Sequence, residues 1–284
     1  MSKTIVAGII GYPIGHSMSA QIYNFVATNN DIDLIYTPFE VKPNDLAKAI
    51  EALKVLNIKG VNVTIPYKEQ VIPLLDEISD EAKLIGAVNI IVNDNRRLIG
   101  FNSDARGFAK SIAVNSDFTI QGKKGMIYGA GGAAKAVAIA LATEKIGSIT
   151  IVNRDLEKGV HLANNITEHF PTRVNVISLN DKKSLTSTIE SSDIIINCSS
   201  VGMKGGVEND LILNFGPAKK ECLVIDIVYN PLETDFLKKA REQNLLTIDG
   251  LEMLIYQGEI TFRHFTNSDF PVDQVRKMLV TKLK

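Results

Sequence analysis

The sequence predicts an α/β fold built on mostly parallel sheet. Two observations carry that expectation. Short runs rich in β-branched residues alternate with helical patterns along nearly the whole chain, which is the pattern left when helices cover a parallel sheet. A glycine turn, "YGAGGAA" at 128–134, stands between one such run and an alanine-rich helix. With 284 residues, 45% hydrophobic and 22% charged, the chain has enough apolar surface for one large or two ordinary domains.

The apolar run from Ile5 to Ile10 reads as a strand, and the stretch from about Ser19 as a helix with Ile22, Phe25 and Val26 on one face. A second strand is expected near Ile35 to Val41. Pro43, Asn44 and Asp45 then open a helix, because a first turn tolerates proline's missing N–H. In "GVNVTIPYKEQV", 60–71, β-branched residues favour a strand from Val61 to Ile65, ended by Pro66, which cannot donate to a ladder. "AVNIIV" and "RLIGFN" read as a hairpin joined by the turn residues Asn93, Asp94 and Asn95. "SDARGFAKSI" is a helix placed to bridge two domains.

A second region starts near Gly122. "GMIYGAGGAAKAVAIALA" gives strand, glycine turn and helix, followed by the strand "SITIVN", a helix from about Leu156, "VNVIS", a helix near Leu185, and the strands "DIIIN" and "LVIDIV". Beyond about Asp235 three more helical patterns follow, ending in "VDQVRKMLVTKLK". They either finish the second domain or return to the first.

Charge and cysteine usage narrow the function classes. Lys+Arg is 31 against Asp+Glu 32, so no positive field points to nucleic acid or an anionic membrane, and the expected partners are small molecules. Cys198 and Cys222 form no CxxC and no paired metal spacing, which fits reduced thiols in a cytoplasmic protein and no metal site. The short apolar stretch in "MSKTIVAGIIGYPIGHS" contains turn residues and reads as a first strand rather than a signal segment. No run of 18 apolar residues suggests a membrane span.

The glycine turn carries the most readable chemistry. Gly129 permits a tight turn, Gly131 lets backbone approach a pyrophosphate, and Ala134 stands where a dinucleotide fingerprint accepts Gly or Ala. Helix N-terminal N–H groups would then face the phosphates. The next strand ends in "VNRD", where an acid would hold the ribose 2′-OH of NAD. Asn153 replaces the acid and Arg154 suits a 2′-phosphate, which favours NADP. Asp155 leaves NAD open, since a carboxylate near a 2′-phosphate opposes it; its other reading is an N-cap or first-turn acid of the following helix.

Hydride transfer to a ketone also needs a proton donor from outside the nucleotide region. Lys68, just beyond a strand end, is one candidate and Asp104 another. Lys68 alone would read as a solvated surface lysine, and Asp104 alone as an N-cap for "ARGFAKSI". Ser17 and Ser19 precede a helix, where hydroxyls either cap it or meet a substrate carboxylate.

Together these segments resemble the shikimate dehydrogenase family almost end to end. The landmarks come in order: "GYPIGHSMS", "GVNVTIPYK", "GAVN", "GFNSDARG", "GAGGAAKA", "NR", "NCSSVGM", "DIVYNPLET" and "GLEMLIYQG". The resemblance implies an N-terminal α/β substrate domain, residues 1–104 completed by about 240–284, and a Rossmann-type NAD(P)-binding domain over 105–239. It implies reversible reduction of 3-dehydroshikimate to shikimate with NADPH in aromatic amino-acid biosynthesis, by a monomer or homodimer. Lys68 and Asp104 become the catalytic pair. Ser17 and Ser19 take the substrate carboxylate, and Thr64, Asn89, Asp104 and Gln257 the ring hydroxyls, with Tyr229 nearby. Gly129, Ala130, Gly131, Gly132 and Ala133, then Asn153, Arg154 and Asp155, fall to the dinucleotide, with Ile227 and Gly250 at the nicotinamide end and Asp80 near the cofactor.

The chain departs from the family's pattern at Ala20, Tyr23, Ile90, Ser103 and Asp155. Ser103 keeps the hydroxyl of the usual Thr. Asp155 raises an NAD-preferring quinate/shikimate dehydrogenase as a second reading, and Ala20 and Tyr23 raise an altered substrate. A ligand-binding protein without turnover is a third reading, opposed by the presence of both Lys68 and Asp104.

Overall fold

The structure, a computed structural model, describes residues 4–15, 17–204 and 213–283. His16 of the serine-bearing motif lies outside the described residues. The chain divides into two compact units, Met1–Asp104 with Ile255–Lys282, and Ala105–Leu254 with Leu283–Lys284.

The first unit runs β1 (Ile5–Gly11), α1 (Ser19–Asn29), β2 (Leu34–Glu40), a 3-10 turn at Pro43–Asp45 leading into α2 (Leu46–Val55), then β3 (Gly60–Val63), β4 (Glu77–Ile78), α3 (Asp80–Ile85), β5 (Ile90–Asp94) and β6 (Arg97–Phe101). Its six-stranded sheet has the order β2-β1-β3-β5-β6-β4. β1 is parallel to β2 and β3, whereas β5 is antiparallel to both β3 and β6. The sheet is therefore mixed: its antiparallel β5–β6 pair is the expected hairpin, whereas the antiparallel pairing of β5 with β3 departs from a mostly parallel sheet. One core lies between the sheet and α2, with Ile10, Ile50, Leu53, Val61, Tyr67 and Leu98 buried together.

Two local expectations are corrected. The strand read as Val61 to Ile65 stops at Val63, because Tyr67 N–H turns back to Thr64 O at 2.9 Å before Pro66 can interrupt a ladder. The hairpin turn is Asn95 and Arg96, both left-handed at φ 51° and 71°. Asn93 and Asp94 pair with Leu98 and Arg97 instead, as a two-residue connection requires when positive φ matches the strand twist.

Helix α4 (Asp104–Asn115), whose first residue is the last of this stretch of the first unit, opens the second unit, which continues with β7 (Lys124–Tyr128), α5 (Gly132–Thr143), β8 (Ser148–Asn153), α6 (Leu156–His169), β9 (Arg173–Ser178), α7 (Lys182–Ser191), β10 (Ile194–Asn197), β11 (Leu223–Asp226), α8 (Asp235–Glu242) and β12 (Leu246–Ile248). All its strand pairs are parallel. The order β12-β11-β10-β7-β8-β9 reverses direction at β7, which is where doubly wound sheets place their ligands. Residues of α5 from Ala134 to Ala142 are almost all buried; small alanines let the helix sit close on the sheet.

The last helices are α9 (Gly250–Thr266) and α10 (Val272–Leu283). The chain re-enters the first unit at Ile255, inside α9, later than the expected 240. The reason is β12, a three-residue strand too short for its pattern to show, which extends the second sheet by pairing with β11. Among the described residues no helix is long and apolar enough to cross a membrane.

Candidate active site

Beyond β3 the chain folds so that one lysine is fixed from both sides. Tyr67 is wholly buried and its hydroxyl donates to Val41 O at 2.5 Å, while Val88 N–H donates to Lys68 O at 2.7 Å. Lys68 Nζ consequently lies 2.5 Å from Asp104 Oδ2, with 17% and 7% of the two side chains exposed. Charges so far withdrawn from water persist only when paired and hydrogen-bonded, and the surroundings meet that need.

Asp104 Oδ1 accepts from Asn89 Nδ2 at 2.8 Å. The same amide donates to Ser103 Oγ at 3.0 Å, and Asn89 Oδ1 accepts from Ser103 N–H at 2.9 Å. Asp104 N–H donates to Asn102 Oδ1 at 2.9 Å, and Asn102 Nδ2 to Ala87 O at 2.9 Å. Asp104 is thus the first residue of α4, not a cap with its carboxylate on the helix N–H groups. Gln257 Oε1, on α9, accepts from Ser103 Oγ at 3.5 Å.

A second layer supports the first. Asn62 Nδ2 donates to Asn89 O and to Thr261 Oγ1, each at 3.2 Å, and its Oδ1 accepts from the Tyr36 hydroxyl at 2.7 Å. Tyr23 lies beside this layer, its ring centroid 4.5 Å from that of Tyr36 with the rings tilted by 52°. Burial raises the Tyr23 phenol well above its ordinary range, opposed by hydrogen bonding with Thr261 and reinforced by the Asp104 charge. Both tyrosines therefore remain neutral hydrogen-bonding groups at physiological pH.

Ser17 is half-buried and Ser19 buried. Neither caps α1: the N-cap is Met18, with no side-chain bond, and Ser17 Oγ accepts from Ser19 N–H at 3.3 Å. Thr64 is half-buried, with its N–H on Ile10 O at 3.0 Å. Burial pushes the Tyr36 phenol up, with the Ser19 side chain opposing that push. Asp80 stands apart in character, a fully exposed first-turn acid of α3 paired with Lys83 at 3.1 Å.

In the second unit, β7 ends in a turn that only glycine fits. Gly129 has φ +111°, and a Cβ there would lie 3.2 Å from the carbonyl of Cys198. Gly131 is the N-cap of α5 without a side-chain acceptor, and a Cβ on it would meet nothing within 4 Å. Ala130 and Ala134 are buried, while Gly132 and Ala133 are half-buried. Open backbone over an uncapped helix start fits a dinucleotide pyrophosphate.

β8 ends at Asn153, whose Nδ2 donates to Asp155 O at 2.8 Å. Arg154 is exposed, and its charge opposes the upward push of burial on the Tyr128 phenol. Asp155 Oδ1 accepts from Glu157 and Lys158 N–H at 3.1 and 3.3 Å, capping α6. Farther along, Gly250 N–H donates to Val228 O at 3.3 Å, and any Cβ on Gly250 would collide with Ile227 O. Tyr229 follows, half-buried. Among the described residues no group of three or more His, Cys, Asp or Glu could hold a metal ion.

Three family models cover the chain: shikimate dehydrogenase substrate binding domain over residues 9–91, shikimate / quinate 5-dehydrogenase over 111–254, and shikimate 5'-dehydrogenase C-terminal domain over 250–279. A shikimate dehydrogenase (NADP(+)) of Alkaliphilus metalliredigens is 38% identical over 279 residues, 98% of this chain and 97% of that one. The chain belongs to the shikimate dehydrogenase family. The solved shikimate 5-dehydrogenase of Listeria monocytogenes, in complex with shikimate and NAD, matches with a TM-score of 0.89 at 32% identity, covering 98% of this chain and 97% of that one. The Thermus thermophilus shikimate 5-dehydrogenase, in complex with NADP(H) and shikimate, matches with a TM-score of 0.85 at 26% identity over 98% and 99%.

For this shikimate dehydrogenase family member, the structure brings Lys68, Asn89, Asp104 and Gln257 into one bonded cluster with Ser103. It places Gly129 and Ile227 just past the ends of β7 and β11, and Gly250 at the first position of α9. Asn62, Asn102 and Thr261 were not singled out from the sequence. Asn62 had a usable signal, a polar residue inside the β-branched run "VNV"; Thr261 had none, since its meeting with Asn62 spans 199 positions.

Proposed function

We infer that the chain is an NADP-dependent shikimate dehydrogenase, interconverting 3-dehydroshikimate and shikimate. The observation that carries this reading is the buried pair of Lys68 and Asp104, with Asn89 on the second carboxylate oxygen, in a chain of this family. The first unit binds the substrate: Ser17 and Ser19 its carboxylate, and Thr64, Asn89, Asp104 and Gln257 its hydroxyls; Tyr229 is assigned to the substrate by resemblance alone.

NADPH, held by residues 129–133, Asn153 and Arg154, with Ile227 and Gly250 at the nicotinamide end, supplies the hydride when bound. Lys68 donates a hydrogen bond from its ammonium to the ketone oxygen. As negative charge grows on that oxygen, the ammonium stabilises it and then gives up a proton, leaving the alcohol. Asp104 orients Nζ through Oδ2 and accepts the neighbouring hydroxyl. Asn89 and Ser103 fix the carboxylate, so the donor does not have to be organised during the reaction.

The NAD-preferring quinate reading rested on Asp155. Its Oδ1 is already the acceptor for two N–H groups at the start of α6, which leaves Arg154 as the charged group for a 2′-phosphate. Asp80, exposed and paired with Lys83, is kept near the cofactor by resemblance alone. The same reading describes a cytoplasmic monomer or homodimer whose partners are small molecules.

Steady-state rates with shikimate and quinate, each against NADP+ and NAD+, test the reading. The expected result is the highest kcat/KM for shikimate with NADP+. Higher kcat/KM for quinate with NAD+ would replace it with the second reading. Binding of shikimate and NADP+ by calorimetry without turnover would replace it with a ligand-binding role.

A further inference from the structure

Below the dinucleotide turn lies a buried carboxylate that the mechanism leaves unused. Asp226, the last residue of β11, has no exposed surface. Its Oδ1 accepts from Asn197 Nδ2 at 2.9 Å and from Val228 N–H at 3.0 Å, and its Oδ2 accepts from the Thr234 hydroxyl at 2.7 Å. These three donors belong to three segments: the end of β10, the loop after β11, and the N-cap of α8, where Thr234 Oγ1 also accepts from Leu237 N–H.

Each segment leads to the cofactor side of the unit. Asn197 Oδ1 accepts from Ser199 N–H and Oγ at 3.0 and 2.7 Å, and its Nδ2 also donates to Val201 O. That fixes 198–201, whose Cys198 and Ser199 backbone lies against Gly129. Val228, held by Asp226 on its N–H, accepts from Gly250 N–H on its carbonyl, and Gly250 packs on Ile227. Gly129, Ile227 and Gly250 thus rest on segments tied to one side chain.

We propose that Asp226 is a positioning residue for the dinucleotide, holding the loops after β10 and β11 in the geometry that Gly129, Ile227 and Gly250 need. The proposal rests on the NADP site assigned above, and it concerns the second unit alone. Burying a charge in this place is costly: burial raises the carboxyl to about 6, against the three hydrogen bonds that lower it and with Asp249 raising it further. A carboxylate retained at such a cost, with every bond spent on loop backbone or loop-holding side chains, is explained by the geometry it imposes.

Calorimetric titration of the full chain with NADP+, and separately with shikimate, tests the proposal in Asp226→Ala, Asp226→Asn and the wild type. In Asp226→Ala three buried donors lose their acceptor, so NADP+ binding should weaken about tenfold or more, with shikimate binding within about twofold. Asp226→Asn keeps an acceptor for Asn197 and Val228 and offers Thr234 a donor, so it should recover NADP+ affinity to within about threefold of wild type. Unchanged NADP+ affinity in folded Asp226→Ala, or equal loss for both ligands, overturns the proposal. If Asp226→Ala fails to fold, Thr234→Val should weaken NADP+ severalfold and Thr234→Ser restore it; no weakening in Thr234→Val overturns the proposal. A wild type that binds NADP+ but does not oxidise shikimate removes the assigned activity while these affinities still decide the role of Asp226.

Discussion

Lys68 Nζ and Asp104 Oδ2 stand 2.5 Å apart although 36 positions separate them in the chain. The pair joins the turn beyond β3 to the first residue of α4, and it makes the lysine a directed donor rather than a solvated charge. Replacing Lys68 by Ala should lower kcat by about 10²- to 10⁴-fold, the usual contribution of a positioned proton donor, with KM for shikimate changed far less. Asp104→Asn should lower kcat as well, and the double variant should cost little more than the worse single one, since residues that act as a unit are not additive. Steady-state kinetics on the three variants, with folding checked by circular dichroism, decides this; near wild-type kcat in Lys68→Ala would falsify the catalytic assignment.

Arg154 and Asp155 are adjacent, yet Asp155 caps α6 while the proposed function gives Arg154 to the 2′-phosphate. Arg154→Ala should reduce kcat/KM for NADP+ about tenfold or more through loss of a charge-assisted phosphate contact, and leave the value for NAD+ nearly unchanged. Asp155→Ala should leave the ratio of the two cofactors within about threefold, and instead destabilise α6 by about 1 kcal/mol, the usual cost of a lost N-cap. A cofactor ratio that inverts in Asp155→Ala would return the carboxylate to the ribose.

The residues that the sequence revealed are those whose role is local. The glycine turn, the alanine-rich α5 and the alternation of strand and helix in the second unit are set by residues close along the chain, so pattern and position sufficed. Lys68 and Asp104 were legible as candidates because each sits just past an element end. The mixed first sheet was harder, because antiparallel pairing of β5 with β3 is decided by a chain reversal and not by the apolar pattern of either strand. Strand β12 is three residues long and leaves no period to read. The support layer of Tyr36, Asn62 and Thr261 joins β2, β3 and α9, and such meetings follow only from the assembled fold.

Gly129 gives the sharpest single test of the dinucleotide turn. At φ +111° an alanine would be strained, and its Cβ would press on the Cys198 carbonyl at 3.2 Å. Left-handed backbone costs a residue with a Cβ about 1–2 kcal/mol, and relief would move the turn or 198–201. Gly129→Ala should therefore weaken NADP+ binding about tenfold or more while shikimate binding, which the proposed function assigns to the first unit, stays within about twofold. Calorimetry with each ligand alone makes the comparison, and equal weakening of both would show a global rather than a local effect.

The buried Asp226 also predicts how stability responds to pH. Its carboxyl is raised from the ordinary 3.8 to about 6, chiefly by burial, with Asp249 adding repulsion and Asn197, Val228 and Thr234 opposing. Between those two values the folded chain holds a proton that the unfolded chain has released, so stability falls as pH rises. The contribution is fully present below 3.8 and has gone above about 6, a span worth about 3 kcal/mol. Asp226→Asn carries no titrating group at this position and escapes that loss. The unfolding free energy of Asp226→Asn relative to wild type should thus rise between pH 4 and pH 7, then level off. Urea denaturation at four or five pH values measures it, and a constant difference across the range would mean that Asp226 titrates as an ordinary carboxylate.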